Sequence, residues 1–196
     1  MLVDEAASLD NFLKNAPDYP ILHLSTHAML NDRDSRYTYI AFAPQSDSVA
    51  DKLFFSDLLA MQLKAEMVVL SACETAQGSW QHGEGINSLA RGFAYAGAKS
   101  LVPTLWAVDD QSTAALMTYF YQELKRGKNK AEALQLAKLK ILQERDLPPF
   151  YWAAPILIGN TQAITSHAAY KYLIFIGISI LLALIVAWFW RKNKKR

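Results

Sequence analysis

The sequence of 196 residues predicts an α/β domain, a mainly parallel sheet covered by helices on both faces. Two observations carry that reading. Short apolar runs at 21–27, 67–73, 101–106 and 151–158 have the length and the β-branched or aromatic content of buried strands. Between them, 85–97, 110–127 and 130–145 place apolar residues at helical spacing. A third observation sets off the end of the chain. No charge occurs from Tyr172 to Trp190, a stretch long enough to cross a bilayer as a helix and edged by Tyr170, Trp188 and Trp190. The expected organisation is therefore a domain over 1–160, a linker over 161–170, a transmembrane helix over 171–190 and a basic tail over 191–196.

The first segment reads as a helix capped by Asp4, with Ala6, Leu9, Leu13 and Ala16 on one face, and it stops before Pro17 and Pro20. Doubly wound domains start on a strand, so the first strand is expected to be missing. The run 21–27 places Ile21, His23, Ser25 and His27 on one side. Beyond a polar stretch, 37–43 and 53–55 suggest a small ribbon at the sheet margin, and Ser56 can cap the helix that leads to Lys64. The strand from Met67 must end at Cys73, because Gly78, Gly83 and Gly85 follow. Ile86, Leu89, Ala90, Phe93 and Ala94 then mark a sheet-facing helix. After the strand 101–106, a helix buries Leu116, Met117, Phe120 and Leu124 and ends at Gly127. The next buries Leu134, Ala137 and Ile141 and is stopped by Pro148 and Pro149. The last strand, 151–158, is closed by Gly159.

Charge and composition exclude some functions. Of the 20 basic residues six lie at Lys171 or later, whereas no acid does, so residues 1–170 are net acidic. Such a domain lacks the basic stripe of a nucleic-acid binder, and no nucleic-acid partner is expected. One cysteine in the whole chain rules out an internal disulfide and a cysteine-rich metal site. The five basic residues after Trp190 outweigh Lys171, which puts the tail on the cytoplasmic side and the domain on the other. The absence of a signal peptide at Met1 argues the opposite way, and the side of the domain stays open.

Chemistry gathers at the carboxyl ends of the strands, where open α/β sheets hold their ligands. Cys73 ends one strand and His27 another. If those strands are parallel neighbours, their ends lie about 5 Å apart, within reach of a Cys–His dyad. A lone cysteine is more often a small core hydrophobe, but the glycines after Cys73 put the thiol at a rim. His23, inside its strand, reads as a hydrogen-bonded core histidine, and His82 as a substrate contact or as nothing. The charge of Glu74 would oppose a thiolate, and Arg33 and Arg36 read as solvated surface. Asp109 and Asp110 precede a helix, where an acid is commonly an N-cap.

Four strings in this order resemble the CHAT family of the caspase and separase clan of cysteine peptidases. They are HLSTHA from His23, VVLSACETAQG from Val68, GEG with LARGFAYAGAKS to Ser100, and LWAVDD from Leu105. The resemblance implies a caspase-like fold and a cysteine endopeptidase acting on a protein or peptide substrate, with no cofactor and no metal. It assigns catalysis to His27 and Cys73, and the oxyanion to the backbone N–H groups of Ala28 and Cys73. The similar separase segment brings an acid that receives a basic substrate side chain, which makes Asp109 and Asp110 substrate-binding candidates. Tetratricopeptide-repeat regions or proteins are implied as partners, and the lipid bilayer is a further one through the terminal helix. One departure is that Ala28 stands where the family usually has glycine. That departure and the missing first strand leave open an inactive interaction or regulatory module, as well as another Cys-dependent hydrolase or acyl transferase.

Overall fold

The computed structural model describes residues 2–29, 31, 34–44, 51–71, 84–107 and 109–164. The chain divides into two units, 1–163 and 164–196, and every element named below lies in the first. The expected transmembrane helix over 171–190, its tail and the linker beyond 164 fall outside the described residues. Among the described residues no helix is long and apolar enough to cross a membrane.

Helix α1 (Leu9–Asn15) opens the fold. Its N-cap is Ser8, whose hydroxyl accepts the Asn11 N–H, while Asp4 lies in a separate 3-10 turn. The buried face is set by Phe12 and Ala16, and Leu13 points outward, one position round from the predicted stripe. Strand β1 (Ile21–Leu24) runs parallel to β5 (Met67–Leu70), and β5 runs parallel to β6 (Ser100–Pro103). Antiparallel β7 (Ile158–Gly159) completes the sheet in the order β1-β5-β6-β7. No strand precedes β1 among the described residues.

The sheet is covered on both faces, as the burial of all four β5 residues requires. Leu22, Leu24, Val68, Leu70 and Leu101 join one core with α1, α2 (Phe55–Ala60) and α3 (Glu84–Tyr95), through Phe12, Leu58, Leu89 and Phe93. By alternation Met67, Val69 and Val102 turn the other way, toward α4 (Asp110–Lys125) and α5 (Lys130–Arg145), which pack on each other. Leu116, Met117 and Phe120 are buried there, as are Leu134, Ala137 and Ile141. The turn after α3 depends on Gly97, whose φ is +108° and where a Cβ would stand 2.5 Å from the Leu63 carbonyl oxygen.

Strand β5, expected to run to Cys73, already ends at Leu70, and four further boundaries differ from the sequence reading, each for a local reason. Strand β1 ends at Leu24 because the chain is diverted to a second sheet. There the Thr26 hydroxyl donates to the Ala41 carbonyl (2.7 Å), and the Ala41 N–H donates to the His27 carbonyl (2.8 Å). That second sheet joins β2 (Ala28–Met29), β3 (Tyr39–Phe42) and β4 (Asp51–Phe54) in antiparallel order, the expected marginal ribbon with one strand more. Helix α2 begins one residue earlier than Ser56, with the Asp57 carboxylate accepting the Phe54 N–H. Strand β6 gives way after Pro103 to a single bridge between Thr104 and Pro155. The predicted strand 151–158 is mostly irregular, since Pro149 starts a 3-10 turn and Pro155 brings no N–H.

Candidate active site

The two strands that lead to His27 and Cys73 are parallel neighbours, with Leu24 opposite Leu70. Along the sequence His27 lies three residues beyond Leu24 and Cys73 three beyond Leu70, so the two are counted equally from paired strand ends at one carboxyl edge. Neighbouring strands are about 4.8 Å apart, which brings the two departure points within reach of one another. His27 is exposed, and no hydrogen bond from another described residue holds its imidazole. Cys73 itself lies outside the described residues, as do Glu74 and His82. The last described residue before it, Ser71, donates its N–H to the Leu24 carbonyl at 3.0 Å, which extends the β1–β5 ladder by one bond.

Ala28 is buried in β2, paired with Ile40. The bond from the Ala41 N–H to the His27 carbonyl makes 27 and 41 a hydrogen-bonded pair, so the N–H of Ala28, one residue on, is directed away from β3. Only Asp4 and Asp146 have positive φ among the described non-glycine residues, so Ala28 occupies its place without left-handed backbone. The alanine in place of glycine is thus compatible with a donor at this position.

At the end of β6 the Trp106 indole N–H donates to the Phe150 carbonyl (2.9 Å) and stacks on its ring. Asp109 follows and caps α4, its carboxylate accepting the N–H groups of Gln111 and Ser112 at 3.1 Å. The Ser112 hydroxyl and these backbone donors hold the Asp109 carboxyl below its ordinary range. Asp110, in the first turn, is exposed and unoccupied by the cap. The two acids are thus separated in role. Arg36 pairs with Asp34 at the exposed surface (2.7 Å).

One group of side chains escaped the sequence reading. His23 accepts or donates at both ring nitrogens, Nε2 to the Ser71 hydroxyl (2.9 Å) and Nδ1 to the Tyr121 hydroxyl (3.0 Å). It keeps an exposed face, yet the protein packed round the ring lowers its pKa, and burial pushes the Tyr121 phenol up. The expectation of a hydrogen-bonded His23 holds, but its place is the rim rather than the core. Tyr121 was legible as a neighbour of Met117 and Phe120 on the inner face of α4; the register that brings it to His23 was not.

The CHAT domain family model matches residues 1–160 of this chain. Tetratricopeptide repeat protein 28 of Mus musculus is 31% identical to it over 116 residues, which make up 58% of this chain and 5% of that protein. The Homo sapiens protein of the same name is 30% identical over the same share of each. This chain therefore spans about a twentieth of the length of these curated relatives.

Proposed function

Since this chain belongs to the CHAT domain family, we propose that it is a cysteine endopeptidase of the caspase and separase type, anchored to a membrane through 171–190. The observation that carries the reading is the equal displacement of His27 and Cys73 beyond the paired Leu24 and Leu70. The His27 imidazole takes the Cys73 proton, and the thiolate attacks the scissile carbonyl carbon. The N–H groups of Ala28 and Cys73 receive the oxyanion. His27 then protonates the leaving amine, and a water deprotonated by His27 hydrolyses the thioester. The uncharged stretch and its basic flank hold the domain at a bilayer, with the tail facing the cytoplasm. The name of the relatives supports tetratricopeptide repeats as the partner class. A cysteine-directed peptidyl probe should label wild type and not Cys73→Ala; equal labelling of both, or of neither, would leave a non-catalytic binding module as the reading.

Of the two acids, Asp110 is the candidate for receiving a basic side chain, because Asp109 is spent on the helix. Asp110→Asn should erase a preference for Lys or Arg before the scissile bond while leaving the melting temperature within a degree or so. Asp109→Ala should instead cost about 1 kcal/mol of stability through the lost cap. Peptide-library cleavage alongside thermal melts separates the two. Charge-indifferent cleavage by the wild type would remove the acid from substrate recognition altogether.

A further inference from the structure

We infer that Ser71, His23 and Tyr121 form a positioning clamp that fixes the two strand ends leading to His27 and Cys73. The inference rests on the dyad reading above and deepens it. His23 lies four residues before His27 on one chain segment, and Ser71 lies two before Cys73 on the other. The bond from His23 Nε2 to Ser71 Oγ therefore ties the two segments by side chains close to the point where both leave the sheet. The Ser71 N–H bonded to Leu24 ties them a second time through the backbone, on the same residue. Tyr121, from α4 on one face of the sheet, holds the far nitrogen of the ring and stacks at a tilt beside it, with ring centroids 5.7 Å apart. Three elements thus meet on one imidazole.

Two proton orders satisfy both bonds: Tyr121 donates to Nδ1 and Nε2–H donates to Ser71 Oγ, or Nδ1–H donates to the phenol oxygen and Ser71 donates to Nε2. In either order burial keeps the phenol protonated and the ring bridges two neutral hydroxyls. The resemblance to a serine nucleophile and its base is superficial. A base needs a partner that stabilises the imidazolium, and a neutral phenol with a ring in crowded surroundings favours the uncharged form. What remains is geometry. Reacting groups must be held within a fraction of an ångström, and a displacement of 1 Å costs up to about 100-fold in rate.

Because Cys73 is the sole cysteine of these 196 residues, its alkylation by iodoacetamide in this chain reads the dyad without any substrate. In wild type the neutral-pH rate should exceed that of free cysteine and should fall on His27→Ala. Ser71→Ala and Tyr121→Phe should each lower that rate and kcat about 10-fold, with KM and far-UV circular dichroism unchanged, and Ser71→Thr should restore both. The double variant should lose no more than the worse single one, since the three groups act as a unit. Tyr121→Phe removes only one hydroxyl and carries the test if Ser71→Ala fails to fold. Wild-type alkylation in Tyr121→Phe, or no rescue by threonine, overturns the clamp while leaving the dyad standing. A wild-type thiol as slow as free cysteine and indifferent to His27 overturns the dyad, and the clamp with it.

Discussion

On the proposed dyad, cleavage by Cys73→Ala or His27→Ala protein should fall about 10⁴-fold or more in kcat/KM, and the double variant should be no worse than either single one. The magnitude follows from the division of labour in a nucleophile–base pair, where either loss disables the same step and only the oxyanion donors and substrate binding remain. Non-additivity is the sharper part of the expectation. Two residues that merely contributed separately to binding would multiply their effects, whereas members of one dyad do not. Stability should hold in His27→Ala, because the side chain is exposed and no described residue bonds its ring, so the change is within about 0.5 kcal/mol. Steady-state kinetics on a cleavable peptide, with circular dichroism on the same samples, make the comparison. Multiplicative losses, or cleavage retained by folded Cys73→Ala, would remove the pair from the chemistry.

The largest effect on stability is expected at Gly97. Its φ of +108° lies where L-residues pay a steric penalty, and a Cβ there would meet the Leu63 carbonyl oxygen at 2.5 Å. The obstacle is backbone, so it cannot swing aside as a flexible side chain could. Leu63 is itself tied down, its N–H donating to the Ala96 carbonyl at 2.6 Å. Gly97→Ala should therefore destabilise the fold by about 3 kcal/mol, the upper end of what one strained backbone position costs. For a domain of this size that lowers the melting temperature by roughly 6–12 °C. A matched control is Gly127→Ala, where a Cβ meets nothing within 4 Å and only the positive φ opposes it. If the two variants melt together, the Leu63 contact carries no weight.

What the sequence disclosed, and what it withheld, divides along the range of the interactions. Parallel pairing of the runs at Ile21 and Met67 was legible because an uninterrupted apolar run such as Met67–Leu70 has to be buried on both faces. The span of α5 was legible too, since Leu134, Ala137 and Ile141 keep helical spacing and Pro148 and Pro149 stop the run. The direction of the last strand could have been read and was not. Two helices in succession, α4 and α5, return the chain to the end of the sheet it left, so β7 has to run against β6. The end of β1 was beyond reach, because it is decided by Thr26 and His27 bonding to Ala41, a residue whose proximity no local pattern announces. The same holds for Tyr121 and His23, which are 98 positions apart in the chain. For His27 and Cys73 the residue types and the neighbouring runs were plain from the sequence, but the strands stop three residues short of each, and only the register shows that Leu24 and Leu70, from which both are counted, are paired.

The order of strands across the sheet, β1-β5-β6-β7, is also their order along the chain. A sheet laid out in this way grows from one side only, and no strand has to be forced between two that are already paired. As the chain is synthesised, β5 can dock on β1, β6 on β5 and β7 on β6, each as it leaves the ribosome, with its hydrogen-bonding partner waiting and its own far edge open for the next. Beside the outer edge of β1, each intermediate exposes one growing edge rather than a gap, and that growing edge is covered in turn by the next piece of the same chain, which shortens the time during which another molecule could pair with it.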